Sequence, residues 1–445
     1  MEKSSATLMT EGSIWKKIVF FAIPIFWGNL FQQLYNTVDT LIVGNFLGST
    51  ALAAVSSSGA LIFLMVGFFN GIAMGAGVVS AKYFGSRNLE KLHKTIHTTV
   101  AFGVICGVFL TIVGMISAPI ILRLMGTPEN VLPMSITYFR IYFSGSLAFV
   151  MYNFFVGILQ SVGDSKNPLK YLIISSVINV ILDFLFIAVF HFGVGAAAFA
   201  TIISQILSAT LCYNKLTHNP EEIRLDPKDV KLDKDVLKEI VSNGIPAGLQ
   251  NSIISIANIF VQSNINSFGE MAVAGCGTYM KIQGFGFLPI TCFAMAITTF
   301  ISQNLGAKEY KRARKGAVFG VICSVVLAET IGVIIYAFIP YLVRAFSDTA
   351  EVIRIGTLQA RTDSLFYFLL AYSHCMAGIC RGSGKSKVPM YVMLICWCFV
   401  RVSYITIILH FINDIRMIFW AYPITWTLST IAFTVYLKKH GITEE

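Results

Sequence analysis

Apolar runs of twenty or more residues, separated by short polar punctuation, recur along the whole chain. A membrane-crossing helix needs about 20 predominantly apolar residues at 1.5 Å per residue. Twelve segments meet that length, near 18–43, 50–80, 94–118, 135–160, 168–190 and 194–215, then 239–264, 272–300, 315–340, 357–380, 387–411 and 416–437. The first is too long for a cleaved leader and lacks the small-residue cleavage site of one. The longest polar stretch, about Thr217–Lys238, carries Asn219-Pro220 and Asp226-Pro227 with charges of both signs. It divides the chain into two sets of six spans. The pattern predicts an all-α polytopic membrane protein with an N-terminal lobe over 1–216, a cytoplasmic linker over 217–238 and a C-terminal lobe over 239–445.

The two lobes repeat. Sliding the sequence by 221 residues places Phe84-Gly85 on Leu305-Gly306, Gly157 on Gly378, Gly163 on Gly384, Ser165-Lys166 on Ser386-Lys387 and Pro168 on Pro389. Arg123 falls on Arg344 and Arg140 on Arg361, while Ile23-Pro24 and Ile245-Pro246 match one residue away. Shared apolar composition would match Leu to Val, but not Gly, Pro and Arg at one offset. Six spans per copy is even, so both copies enter the membrane in the same direction, the parallel arrangement of two-lobed secondary transporters.

Composition agrees with this reading. Of 445 residues, 56% are hydrophobic and 13% charged, against about 45–50% and 25% in soluble domains. The net charge of +10 would suggest nucleic acid if it were spread over one surface. Instead, 25 of the 33 Lys and Arg fall in the termini and the loops after even-numbered spans. Only Arg123, Arg344, Arg354 and Arg416 lie on the other side. The positive-inside rule therefore puts both termini in the cytoplasm of a plasma-membrane protein and removes the nucleic-acid reading. Nine cysteines, an odd number set mostly within apolar runs, read as small buried hydrophobes.

No catalytic constellation is visible. Gly382-Ser383-Gly384-Lys385-Ser386 ends like a phosphate-binding loop, but position 379 is Ile where that motif needs Gly. Its repeat mate has Asp164 where the lysine would stand. His93, His97, His191 and His374 form no convincing ligand set, and no cofactor is expected.

Charges inside spans are costly, at least about 2.5–3.5 kcal/mol each on insertion scales, so each needs a reason. The first lobe holds Asp39 in span one and Asp183 in span five. Asn179 is one turn from Asp183, Thr201 of span six lies at comparable depth, and Gln32 and Tyr35 share the face of Asp39. A carboxyl group out of water and beside another retains its proton at higher pH than a solvated one. Carboxylate, amide and hydroxyl oxygens also suit a hard cation such as Na⁺. Pro24 removes one backbone hydrogen bond and marks a hinge in span one. Asn153 of span four is a further candidate substrate contact. The second lobe has no acid at the mates of Asp39 and Asp183. It carries Lys281, Glu329, Asp363 and Arg401 at similar depth, for which the spacing suggests Asp363–Arg401 and Glu329–Lys281 pairs, serving structure or substrate.

With Gln32-x-x-Tyr35-x-x-x-Asp39, Asn179-x-x-x-Asp183 and Ile-Pro opening spans one and seven, the chain resembles the multidrug and toxic compound extrusion (MATE) family along its whole length. The resemblance implies twelve helices in two lobes. It is to the DinF-type branch, because the span-seven stretch Gln250–Ser255 lacks the acid of the NorM-type branch. It implies a cation-coupling site at Asp39, Asn179, Asp183 and Thr201, a cavity lined by Gln32 and Tyr35, and export of drug-like, often cationic compounds in exchange for H⁺ or Na⁺. A flippase for a lipid-linked substrate is the alternative, with a membrane-embedded enzyme behind it; a monomer is expected.

Overall fold

The computed structural model describes residues 7–220 and 223–442. Among the described residues the regular structure is helical, and twelve helical stretches follow the twelve apolar runs. These are α1 (Ile14–Gly48), α2 (apolar span Ile62–Gly85), α3 (Leu89–Leu124), α4 (Leu132–Ser144 and Ser146–Ser161), α5 (Lys166–Val189) and α6 (Gly195–Thr217). After the linker come α7 (Lys234–Asn266), α8 (Glu270–Gly306), α9 (Tyr310–Arg344), α10 (Ala350–Asp363 and Tyr367–Gly382), α11 (Lys387–Phe411) and α12 (Ile415–His440). Among the described residues ten are long and apolar enough to cross a membrane singly. The two parts of α4 pass that test together, bent by 49° at Gly145. In α10 a 3₁₀ turn at Ser364–Phe366 interrupts a helix that also carries Arg354, Arg361 and Asp363.

Gly48 makes the break between α1 and α2, with φ 82° and ψ −179°. A side chain disfavours that conformation, so glycine lets the chain turn there without strain.

Contacts divide the molecule into two units whose boundaries differ from those of the repeat. Unit one is Trp27–Gly248, with the short segment ending at Leu8; unit two is Met9–Phe26 together with the chain from Leu249 onward. Each half of the repeat thus gives the start of its first helix to the other unit. Apolar stripes explain the first exchange. Ile18, Phe21, Ala22 and Ile25 recur at helical spacing, and all four are buried in one cluster with Tyr279, Ile297, Phe300 and Met376 of unit two. Met9 is buried with them. Its N–H donates to Gln303 Oε1 at 2.8 Å, and Arg312 donates to the carbonyls of Met9, Glu11 and Gly12.

Close backbone packing explains the second. Gly71 and Gly75 of α2 meet Gly244 and Gly248 of α7, and a Cβ on Gly71 or Gly75 would fall onto the facing glycine backbone. The two Gly-x-x-x-Gly faces let these helices approach as only small residues permit. Tyr83 then donates to Glu239 Oε1 at 2.6 Å, and Lys82 pairs with Glu239 at 3.4 Å.

The linker is docked rather than loose. Ile223 and Leu225 are buried with Val236, Ile240, Leu92 and Ile96 in one cluster. The Asp226 N–H donates to His97 Nε2 at 3.0 Å, and Asp233 N–H to Thr98 Oγ1 at 3.1 Å. The 383–386 segment is a turn between α10 and α11, with Gly384 at φ 74°.

Candidate functional site

In unit one, α1 and α5 bring Asp39 and Asp183 together, with the two carboxyl groups facing each other at short range. Asp183 is 0% exposed and Asn179, one turn earlier on the same face, 1%. Apart from each other's carboxyl group, no hydrogen-bond partner among the described residues reaches Asp39 Oδ1 or either oxygen of Asp183, and none reaches the amide oxygen and nitrogen of Asn179. Two ionised carboxylates are acceptors only, so neither can satisfy the other. A proton shared between them, or a hard cation held by them, resolves that conflict.

Tyr35 stands one turn before Asp39, beside Gln32 and within electrostatic reach of both acids. α4 adds two groups that sequence reasoning missed. Tyr138 is buried and lies near Asp39 and Asp183; Tyr142 lies near Tyr35 and Asp39. Their rings stack at 6.3 Å. The i, i+4 tyrosine pair Tyr138-x-x-x-Tyr142 was the available signal, since it puts two hydroxyl-tipped rings on one helix face. The structure leaves the last two expected residues bonded to their own helices. Thr201 Oγ1 donates to the Ala197 carbonyl at 3.0 Å and Asn153 Nδ2 to the Phe149 carbonyl at 2.8 Å. No hydrogen bond joins either to the acid pair.

Local backbone geometry marks the site too. Asp183 ends the α-helical part of α5, and a π-helical turn, Phe184–Val189, begins at the next residue. Such turns occur frequently at functional sites.

Unit two holds a different cluster and corrects two expectations. Asp363 is 0% exposed and Arg401 1%. They interact electrostatically but form no ion pair within 4.0 Å, and Gln359 is the polar side chain beside the Asp363 carboxylate. The guanidinium instead lies over Tyr422 at 4.6 Å and Trp397 at 5.3 Å, and its Nη2 donates to Thr425 Oγ1 at 2.9 Å. Aromatic faces attract a cation without the exact fork geometry that a carboxylate requires.

The expected Glu329–Lys281 pair does not form either. Glu329 Oε2 accepts the Phe368 N–H at 3.2 Å, capping a backbone donor left after the 3₁₀ turn. Lys281 is exposed rather than buried and sits 6.0 Å from the Phe346 ring. Arg381, counted as a loop charge, is instead buried. It donates from Nη1 to Gln250 Oε1 at 3.3 Å, with Nε unpartnered. Pro24 lies inside α1, which continues through it, two residues before the chain leaves unit two.

Two sets of six helices, with the facing carboxyl groups of Asp39 and Asp183 in one set, give the architecture of a polytopic transporter. The MatE family matches the chain twice, over 24–185 and 246–407, one match in each half. The chain belongs to that family. The probable multidrug resistance protein YoeA of Bacillus subtilis is 29% identical over 459 residues, covering 100% of this chain and 99% of the relative. The probable multidrug resistance protein NorM of Thermotoga maritima is 26% identical and covers 85% and 82%. Among solved structures, a MOP superfamily transporter from Pyrococcus furiosus superposes with a TM-score of 0.92 at 23% identity, covering 99% and 98% of the two chains. An outward-facing multidrug resistance MATE family transporter gives 0.90, also at 23%, covering 97% of each. The fold is therefore the twelve-helix, two-lobe transporter fold.

Proposed function

We propose that the protein exports lipophilic, often cationic compounds across the plasma membrane in exchange for H⁺ or Na⁺, by alternating access and as a monomer. The observation that carries this reading is the Asp39–Asp183 pair, whose buried oxygens find no donor outside the pair among the described residues. The multidrug resistance names of the relatives supply the substrate class. Both termini and the linker face the cytoplasm, and the branch is DinF-type.

In this scheme the outward-facing state takes up the coupling ion at Asp39 and Asp183, with Asn179 and Thr201 as further oxygen ligands. Neutralising the pair weakens its hold on a cationic substrate beside Gln32, Tyr35 and Asn153. It also removes the repulsion that keeps α1 and α5 apart, so α1 repacks about Pro24, where a backbone hydrogen bond is already missing. Related MATE crystal structures in bent and straight conformations accord with such a step. One inward charge moving through 100 mV supplies about 2.3 kcal/mol and one pH unit about 1.4 kcal/mol. After losses, that sustains about a tenfold to hundredfold substrate gradient.

The test is ethidium efflux from vesicles carrying the wild type or Asp39→Asn, under separate pH and Na⁺ gradients. Gradient-driven efflux that the variant loses supports the proposal and identifies the ion. A variant that pumps as well as the wild type would make Asp39 structural. Arg401 and Arg381, two buried guanidinium groups without an acid within 4.0 Å among the described residues, favour one second reading, a flippase for an anionic lipid-linked substrate. Wild type that moves no dye under either gradient brings that reading forward.

A further inference from the structure

A second cluster of chemistry-bearing side chains lies where the linker docks on unit one. His93 and His97 are one turn apart at the start of α3, and Asp229 closes the short 3₁₀ turn Pro227–Asp229 of the linker. One ligand atom from each comes within 4.8 Å of the others. They line a cavity of about 540 Å³ together with Glu90 and Asp233. Its lining cations are Lys94, held by Glu90 at 2.7 Å, and Lys231.

The hydrogen bonds of His97 fix its tautomer. Nδ1 lies 2.7 Å from the His93 carbonyl and therefore carries the proton. Nε2 is bare and accepts the Asp226 N–H at 3.0 Å. A metal-ligating histidine has this pattern, one ring N–H fixed on a backbone carbonyl and the other nitrogen presenting a lone pair. Two histidines at i, i+4 form a chelate on one helix face. The His93 ring packs against the His97 ring at 4.0 Å, and among the described residues no hydrogen bond holds that ring or the Asp229 carboxylate, so both side chains can turn onto an ion.

We propose that His93, His97 and Asp229 form a binding site for a divalent transition metal of the zinc class, with water in the fourth position. In a tetrahedral shell with bonds of about 2.0–2.1 Å, ligand atoms are about 3.3 Å apart. His93 and Asp229 therefore rotate inward on loading. His97 Nε2 exchanges the Asp226 N–H for the metal, so loading fastens Asp229 to α3 while releasing the amide three residues earlier. The site couples metal to the anchoring of the linker and is independent of the acid pair.

The experiment uses the full chain, purified in detergent with a tag free of histidine, and titrated with Co²⁺ and then Zn²⁺. One Co²⁺ per chain is expected, with tetrahedral d–d absorption that Zn²⁺ displaces. His93→Ala and Asp229→Asn, at side chains that carry no structural bond, are each expected to weaken binding at least about tenfold. Hydrogen exchange at the Asp226 amide is expected to quicken on zinc loading of the wild type. Absence of stoichiometric binding, equal binding by both variants, or unchanged exchange at Asp226 would each overturn the proposal.

Discussion

At the scale of single residues, the molecule tolerates buried polar groups that its own donors leave unsatisfied. Each such group costs about 1–3 kcal/mol, and Asp39, Asn179 and Asp183 together hold five of the atoms. That cost suggests a simple dissociation of stability from function. Asp39→Asn supplies an amide donor to Asp183 and removes a like charge. Its thermal midpoint in detergent is expected to equal or exceed that of the wild type, while ion-coupled efflux is lost. A midpoint several degrees lower would show that Asp39 holds helices together. Unit two responds in the opposite way. Arg401 bonds Thr425, lies over two rings and offsets the buried Asp363. Removing one partner of a buried charge pair costs about 3–5 kcal/mol, so Arg401→Ala is expected to lower the midpoint sharply. Asp363→Asn removes the buried carboxylate itself while Arg401 keeps Thr425 and its two rings, and is expected to have a smaller effect, as thermal unfolding of the two variants would show.

At the scale of elements, Asp183, Asp363 and Arg401, each at most 1% exposed, sit where helix type changes. Asp183 precedes a π-helical turn, Asp363 precedes a 3₁₀ turn, and Arg401 follows the π-helical segment Leu394–Val400. The repeat made α5 and α11 partners in the sequence, and both carry a π segment beside their charge. No residue pattern announced those segments, because the helix break depends on packing against neighbours and not on propensity. The acid pair itself was legible: a carboxyl inside an apolar run stands out, and Asn179 and Asp183 share a helix face at i, i+4. Tyr138 and Tyr142 were not singled out, because tyrosines within a span read as ordinary apolar packing. The ion pair expected between Lys281 and Glu329 is absent for a related reason. Depth in a span does not tell which way a side chain points, and Glu329 found a backbone donor instead. The α2–α7 contact offers a sharper test of packing. Gly248→Leu would drive a side chain into the Phe68 carbonyl and ring, and overpacking costs about 1–3 kcal/mol or more. It is expected to yield unstable, aggregating protein. Gly277→Ala in α8, where a Cβ meets nothing within 4 Å, is expected to purify and melt like wild type.

At the scale of the whole molecule, the twelve spans and the duplication were read from apolar run length and one sequence offset. The exchange of Met9–Phe26 and of the α7 start between units was not. An offset compares what residues are, whereas the units depend on where the stripe of Ile18, Phe21, Ala22 and Ile25 is buried. Both exchanged segments end two residues after a proline, Pro24 in α1 and Pro246 in α7. The proposed orientation is open to direct measurement with single cysteines introduced into a variant that lacks the native ones. A cysteine at Lys311 is expected to react with a membrane-impermeant maleimide only after the cells are opened, and one at Arg354 in intact cells; the reverse would invert the topology.

The central claim is that substrate and coupling ion compete through Asp39 and Asp183. It is tested most directly by adding ethidium to the purified protein in weak buffer and measuring released H⁺, or ²²Na⁺ after preloading. Wild type is expected to release ion as dye binds, and Asp39→Asn to bind dye with no release. Dye binding without ion release in the wild type, or equal release by the variant, would contradict it.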